Sequence, residues 1–173
     1  MLKSNEVINH LKEGKYNNTF SYLYGSENVS FQASRYLEAV KAFEKEFGTR
    51  EICLISTPGR SEVGGNHTDH NGGRVLCAAV NLDVIAVVCK NDEYKVDIIS
   101  EGYDRECIDL NDLSKHENEK YKSSALIRGV SYRLKELGYN IGGFCAYITS
   151  NVLKGSGLSS SAAYEVNLVS IYN

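Results

Sequence analysis

The sequence lacks most features that mark specialised classes of protein. It has one proline among 173 residues, and its five cysteines include no Cys-x-x-Cys pair. An odd number of widely spaced cysteines fits reduced thiols better than a disulfide framework or a zinc site. No apolar run approaches the length that spans a membrane, and no basic and then apolar leader opens the chain. We therefore expect a cytoplasmic protein.

The chain also lacks an excess of basic residues. Its formal charge is −3 and its pI is about 5.8, which argues against a general nucleic-acid or anionic-membrane surface. With 42% hydrophobic and 24% charged residues, the composition is that of an ordinary globular protein. We expect small-molecule ligands, no nucleic-acid or membrane partner, and a monomer.

Hydrophobic periodicity predicts a mixed α+β fold. Helical spacing of apolar residues predicts helices over 4–14, 31–47 and 123–137, and a polar connector over 16–30. Apolar or alternating runs predict strands over 51–56, 75–90, 94–100, 105–110 and 143–150, with a break at Ala78-Ala79. We expect the second and third strands to pair as an antiparallel hairpin. Pro58-Gly59 is expected to end the first strand and open a loop that reaches Arg74.

A glycine- and serine-rich stretch joins the last strand to a final helix that is expected to begin at Leu158. It consists of Gly155, Ser156, Gly157, Leu158, Ser159, Ser160 and Ser161. Glycine lets the main chain approach a ligand closely, and the first turn of a helix offers unpaired N–H groups and a positive dipole. The stretch is therefore a candidate cradle for phosphate groups. An ordinary capped loop is the alternative, because short motifs of this kind match by chance.

The loop after Pro58 carries a dense set of polar side chains. It contains Arg60, Asn66, His67, Thr68 and Asp69. Phosphoryl transfer needs a cation near the transferred group and polar groups that position the accepting hydroxyl, and these residues supply both. A different interpretation takes His67, Asp69 and His70 as zinc ligands. The further ligands expected of a zinc hydrolase are missing from this motif. A sugar kinase explains both stretches, because sugar hydroxyls give and accept hydrogen bonds and the glycine and serine stretch would hold the phosphates, and we favour it.

The two stretches together resemble one known family. Pro58-Gly59-Arg60 followed by Gly65-Asn66-His67-Thr68-Asp69-His70-Asn71 is similar to the galactokinase signature. The glycine and serine stretch resembles the ATP loop of the wider superfamily of galactokinase, homoserine kinase, mevalonate kinase and phosphomevalonate kinase. The resemblance covers nearly everything after Ile52.

The resemblance implies a fold, two ligands and a set of roles. The implied fold is the family's N-terminal kinase domain, which resembles domain two of ribosomal protein S5 and is normally followed by a ferredoxin-like C-terminal domain that this sequence does not include. We expect residues 1–50 to form a helical extension and residues 51–173 to form this domain, cut within the helix after the ATP loop. The implied reaction is ATP-dependent phosphorylation of galactose, or a related hexose, at the anomeric hydroxyl. The resemblance implies that Arg60 is the catalytic cation and that the sugar ligands are Asn66, His67, Thr68 and Asp69. It also implies that residues 155–161 form the ATP cradle and that Ser161 contacts Mg²⁺.

Three positions depart from the family pattern. Asn66 stands where galactokinases usually have glutamate, which leaves the choice of sugar open between galactose and a relative such as galacturonic acid. Glu62 stands where asparagine is usual, and its carboxylate is a candidate partner for Arg60. Leu153 replaces the proline before the ATP loop.

The resemblance leaves two further points open. The family's catalytic aspartate would lie beyond Asn173, so we expect the fragment alone to be inactive. A non-catalytic sensor of sugar and ATP, built on the same fold, is the alternative to an enzyme.

Overall fold

The fold is built around one six-stranded sheet. In a computed structural model, which describes residues 1–153, 155 and 157–173, the strand order is β1-β2-β3-β6-β4-β5. The strands are β1 (Leu2–Lys3), β2 (Glu51–Gly64), β3 (Leu76–Lys90), β4 (Lys95–Ser100), β5 (Glu106–Asp109) and β6 (Phe144–Ser150). The described helices are α1 (Ser4–Lys12), α2 (Asn17–Tyr24), α3 (Val29–Phe47), α4 (Ser123–Glu136) and α5 (Ser160–Tyr172), with single 3₁₀ turns at 26–28, 69–71 and 117–119.

Helices cover both faces of this sheet. Along β3, Ile85, Val87 and Cys89 pack into one apolar cluster with α1, α2 and α3, whereas the alternate residues Val84, Ala86 and Val88 pack into a second cluster with α4 and α5. Successive side chains of a strand point to opposite faces, so a strand covered on both sides needs a continuous apolar run. This explains the continuous apolar run 84–89 within β3.

The predicted antiparallel hairpin between the second and third strands is wrong. β6 inserts between β3 and β4: it pairs antiparallel with β3 and parallel with β4. The turn after β3 therefore leads to a strand one position further along the sheet. β6, which takes the place beside β3, lies some fifty residues away in sequence, so the residue patterns of β3 and β4 do not indicate it.

Pro58 does not end β2, contrary to expectation. Pro58 pairs with Asp83 and Arg60 pairs with Ala79, with a register shift between the two pairs. A bulge tolerates a residue without an N–H, so the strand continues through the proline to Gly64. The predicted break at Ala78-Ala79 is also wrong, since both residues pair with β2.

The predicted polar connector over 16–30 contains a helix, α2. Phe20 and Tyr24 lie one turn apart on it and are both buried. The Phe20 ring packs against Tyr36 of α3, with ring centroids 4.8 Å apart. Aromatic spacing at Tyr16, Phe20 and Tyr24 was the sign of this helix, and the intervening asparagine and threonine obscured it.

Residues 1–50 pack against the sheet. β1 pairs with β2, and apolar residues of α1 and α3 share a cluster with Ile52 and with β3. The division of the chain at residue 50 stays a prediction. Among the described helices, none is both long and apolar enough to cross a membrane.

Candidate sugar and phosphate site

Arg60 is held on β2 rather than on a loop. The bulge at Pro58 and Gly59 brings this part of the strand against the start of α5: the Arg60 N–H donates to the Leu158 carbonyl at 3.1 Å. A Cβ on Gly59 would lie 3.2 Å from the same carbonyl oxygen and from Val152. Glycine at this position therefore permits the close approach of the two motifs.

A second contact fixes α5 to the same strand. The fully buried Asn167 donates from Nδ2 to Thr57 Oγ1 at 3.1 Å and to the Val84 carbonyl at 3.3 Å. Thr57 lies three residues before Arg60. Hydrogen bonds at Arg60 and at Thr57 therefore join β2 to the start and to the middle of the segment that contains α5.

The loop after β2 turns through two residues with left-handed backbone angles. Asn66 and His67 have φ values of 55° and 54°, a region that asparagine enters more readily than most residues. Gly65 precedes them at φ 126°, where an added Cβ would meet Arg74 and Val75 at 2.7 Å. The turn is thus set by its sequence and leaves Asn66 and His67 exposed.

These elements surround one cavity of about 590 Å³. The described residues that line it are Arg60, Glu62, Asn66, His67, Leu153, Gly155, Gly157, Ser159, Ser160 and Ser161. Both predicted motifs therefore contribute to one open site, although some ninety residues separate them in sequence. A sugar-sized molecule and a phosphate group fit a cavity of this size together.

Asp69 stands beside the cavity, with Arg60 and two histidines around its carboxylate. Its carboxylate lies 4.0 Å from Arg60 Nη1, 3.4 Å from His67 Nδ1 and 3.9 Å from His70 Nδ1. Desolvation alone would raise the pKa of Asp69, but its own backbone N–H and the charges of His67, Arg60 and His70 outweigh it and lower the pKa. Asp69 is therefore ionised at neutral pH and can accept hydrogen bonds from a hydroxyl.

Glu62, a candidate partner for Arg60, contacts a different residue in the structure. Glu62 instead accepts a hydrogen bond from the His67 backbone N–H at 2.8 Å, and its carboxylate lies 3.7 Å from His67 Nδ1. Arg60 pairs with Asp69. Glu62 therefore braces the turn at His67 and leaves the guanidinium directed at the cavity and Asp69.

Three of the predicted site residues, Thr68, Asp69 and Leu158, do not line the cavity, and Asp69 stands beside it. The Thr68 hydroxyl donates to the Gly65 carbonyl at 2.8 Å and closes the turn. Leu158 contributes its backbone carbonyl to Arg60. Ser156 lies outside the described residues.

The helix after the cradle begins two residues later than predicted. Ser160 is its first residue, and Ser159 is the N-cap, with φ 57° and ψ 53°. This left-handed cap makes no side-chain capping bond among the described residues. Ser160 and Ser161 thus occupy the first turn, where the backbone N–H groups and the dipole favour an anion.

The cradle fits a phosphate-bearing ligand. Gly155 and Gly157 both have φ 78°, and a Cβ on either would meet no described atom within 4 Å. The backbone is therefore open towards the cavity at both glycines, and the serine hydroxyls beside them can bond phosphate oxygens. Ser161 also offers a neutral oxygen of the kind that Mg²⁺ accepts.

The alternative zinc ligands do lie close together. The ligand atoms of His67, Asp69 and His70 are all within 4.8 Å of one another, and all three residues are exposed. The Arg60 guanidinium stands 4.0 Å from the Asp69 carboxylate. A fixed positive charge beside the cluster opposes a second cation there.

Sequence reasoning did not assign Glu62 or Leu153 to the site, although both line the cavity. Glu62 lies two residues after Arg60 on β2, so strand alternation puts both side chains on the same face. Recognising 58–64 as strand would have revealed Glu62. Leu153 carries no comparable pattern.

Comparisons with known proteins relate this chain to galactokinases. The family described as "Galactokinase galactose-binding signature" matches residues 41–90. A galactokinase of Clostridium tetani is 34% identical over 137 residues, which is 79% of this chain and 34% of that protein. The chain thus spans about a third of the length of the relatives it matches.

Solved structures agree on the fold. Galactokinase of Lactococcus lactis, complexed with galactose, superposes with a TM-score of 0.68 at 32% identity, over 74% of this chain and 34% of that one. Mevalonate kinase of Methanococcus jannaschii shares the fold alone, with a TM-score of 0.57 at 18% identity over 70% of this chain and 39% of the other. The predicted mixed α+β kinase fold is confirmed. In sequence and in fold, this chain is a relative of the galactokinases and corresponds to part of their length.

Proposed function

We propose that this chain forms the sugar- and phosphate-binding part of a kinase that transfers the γ-phosphoryl group of ATP to the anomeric hydroxyl of galactose or a closely related hexose. One observation carries the proposal: the Arg60 and His67 motif and the glycine and serine cradle line the same cavity. A kinase must hold its acceptor and its phosphoryl donor side by side, so this juxtaposition matches what the reaction requires.

Asn66, His67 and Asp69 are suited to a sugar. Hydroxyls both donate and accept hydrogen bonds, and these side chains offer an amide, an imidazole and a carboxylate around one opening. The Lactococcus lactis relative is complexed with galactose, which makes galactose our first choice of substrate.

Arg60 is suited to the transferred group. Its guanidinium is always charged, and its backbone is fixed to the Leu158 carbonyl at the edge of the cradle. Its Nε is buried without a hydrogen-bond partner among the described residues, which leaves a donor for a ligand. We assign it the stabilisation of charge that develops in the transition state.

The cradle at 155–161 is the proposed ATP site. The open glycines and the first turn of α5 would hold the phosphates, and Ser161 would contact Mg²⁺. Bound Mg²⁺ supplies charge neutralisation for the phosphates in reactions of this class. The chain's own part is to orient the phosphates against the sugar across the cavity.

The kinetic test compares two arginines of the same segment in the complete gene product. Arg60→Ala should lower kcat by about 10²–10³-fold while the galactose KM changes far less, because the lost interaction forms mainly in the transition state. Arg74 is exposed and does not line the cavity, so Arg74→Ala is the matched control and should leave kcat unchanged. A change confined to KM in Arg60→Ala would make Arg60 a binding residue only.

A sugar acid is the second candidate substrate, and Asn66 favours it. Asn66 lines the cavity and is neutral, so it does not repel a carboxylate at the sugar's sixth carbon. A negative charge about 6 Å from that carboxylate would cost about 0.7–2.8 kcal/mol between the dielectric constants of water and a protein surface. The amide can also donate to the carboxylate, so we expect the site to accept galacturonic acid as well as galactose.

A further inference from the structure

Two of the five cysteines face each other at the centre of the sheet. Cys89 of β3 pairs directly with Cys145 of β6 in the antiparallel ladder. Directly opposed residues of neighbouring strands project to the same face, and both cysteines pack with the apolar cluster beneath α1, α2 and α3. The pairing comes from the fold, since 56 positions separate them in the sequence.

The ladder fixes how far apart their backbones lie. In the same register, Asn91 N–H donates to the Gly143 carbonyl at 3.0 Å, and Asn151 N–H donates to the Asp83 carbonyl at 2.9 Å. Cys89 and Cys145 are an even number of residues from both pairs, so they belong to the hydrogen-bonded class. Cα atoms of such pairs are about 5.5 Å apart, which lies within the range of about 4.4–6.8 Å that disulfides span. The Cβ atoms of directly opposed residues are about 4.5–5.5 Å apart, so joining the thiols needs the two strands to approach locally by roughly an ångström.

The two thiols differ in access and in acidity. Cys89 is buried and Cys145 is half-buried, at the end of β6 remote from the cavity. The neighbouring Cys89 thiol lowers the pKa of Cys145 below its ordinary value, burial opposes this, and the Asn91 amide donates to Cys145 Sγ at 3.6 Å. Arg50 assists the thiolate, whereas Asp97, paired with Cys145 on β4, opposes it. Cys145 is therefore the attacking thiol and Cys89 the resolving one.

We propose that Cys89 and Cys145 form a reversible intramolecular disulfide by exchange with a small-molecule disulfide such as oxidised glutathione. The Cys145 thiolate attacks one sulfur of glutathione disulfide, which releases one glutathione thiol and leaves a mixed disulfide. The Cys89 thiol then attacks Cys145 Sγ, and the second glutathione leaves with its proton. Two protein thiols are oxidised, and one small-molecule disulfide is reduced to two thiols.

The bond would lie far from the proposed ligands. Asn91 and Gly143 flank the cysteine pair, whereas the cavity lies beyond the other end of β6. The inference therefore does not depend on the proposed function, and failure of one leaves the other standing.

The test is peptide mapping of the complete gene product in a Cys77→Ser background. After equilibration of the folded protein with oxidised glutathione, free thiols are blocked and the protein is digested with trypsin without reduction. Cys77 and Cys89 share the tryptic peptide 75–90, so removing Cys77 makes the link unambiguous. We expect peptide 75–90 joined to peptide 136–154 within a monomer that carries no glutathione and has lost only the two thiol hydrogens, and loss of the link on adding reduced thiol.

Two controls separate this result from chance oxidation. Cys89→Ser should trap glutathione on Cys145, because the resolving thiol is gone. Oxidation of the urea-unfolded chain should scatter the links among the remaining cysteines. Blocked free thiols at both positions, or glutathione retained on Cys145 while Cys89 is present, would overturn the proposal.

Discussion

Removing the carboxylate of Asp83 should destabilise the protein more than any exposed charge change. Asp83 Oδ1 accepts a bond from Arg35 at 2.5 Å, and Oδ2 accepts from Tyr24 at 2.6 Å and from Ser56 at 2.5 Å. The side chains of Arg35 and Asp83 are only 8% and 2% exposed. The network ties α2 and α3 to β2, which carries Arg60, and to β3, which pairs with β2.

The expected cost follows from leaving Arg35 buried without its counter-charge. Asp83→Ala should lower the free energy of unfolding by about 3–5 kcal/mol, which is the usual effect of removing one partner of a buried ion pair. Asp83→Asn keeps an acceptor and the side-chain volume, so its cost should be about 1–3 kcal/mol. The total stability of a domain is only about 5–15 kcal/mol, so the alanine variant approaches unfolding.

Urea unfolding of the complete gene product, followed by circular dichroism, measures these differences. The decisive variant is the double substitution Arg35→Met with Asp83→Leu, which removes both charges together. It should be more stable than Asp83→Ala, since no uncompensated charge is left buried. Two results would contradict this role of the network. One is a free energy of unfolding for Asp83→Ala within about 0.5 kcal/mol of wild type, and the other is a double variant that loses as much as the sum of the losses of the two single variants.

Three further predictions concern the cradle, the sugar and an acidic turn. Gly157→Ala should weaken nucleotide binding, measured by calorimetry, more than tenfold. Gly138 has a similar φ of 85° and equally open space, so Gly138→Ala is the control and should lower only the free energy of unfolding. Equal nucleotide affinities in the two variants would refute the assignment of the cradle. Asn66→Asp keeps a residue that tolerates the left-handed backbone and adds a charge, so activity on galacturonic acid relative to galactose should fall by about 3- to 100-fold; an unchanged ratio would refute the argument from charge. The Ser114 hydroxyl, then the Ser114 N–H and His116, lower the pKa of Asp112 to about 2. This carboxylate therefore contributes stability that is present above about pH 4 and is lost as the pH falls through about 2. NMR titration should show this pKa, Ser114→Ala should raise it, and an Asp112 pKa that is the same in the variant would contradict the assignment.

The sequence predicted the local elements better than their arrangement. Apolar spacing located α3 and α4, and apolar residues over 75–90 located β3, although the break predicted at Ala78-Ala79 is absent. The insertion of β6 beside β3 depends on contacts between distant segments, which periodicity does not encode. Strand order was therefore the part that could not be inferred.

The site shows the same division. Motifs identified Arg60, His67 and the cradle, because phosphate and sugar chemistry restricts which residue types serve. The left-handed cap at Ser159 and the backbone hydrogen bond from Arg60 to Leu158 depend on how distant segments meet in the fold, so no residue pattern predicts them. The role of Glu62 was missed because Pro58 was taken to end a strand that in fact continues at a bulge.

We propose that one cavity holds a sugar beside the phosphoryl donor and supports transfer between them. Phosphorus and proton NMR of the complete gene product mixed with galactose and Mg·ATP tests this most directly. We expect formation of ADP together with galactose phosphorylated at the anomeric oxygen. Binding of both ligands without turnover, or phosphate on a different hydroxyl, would contradict it.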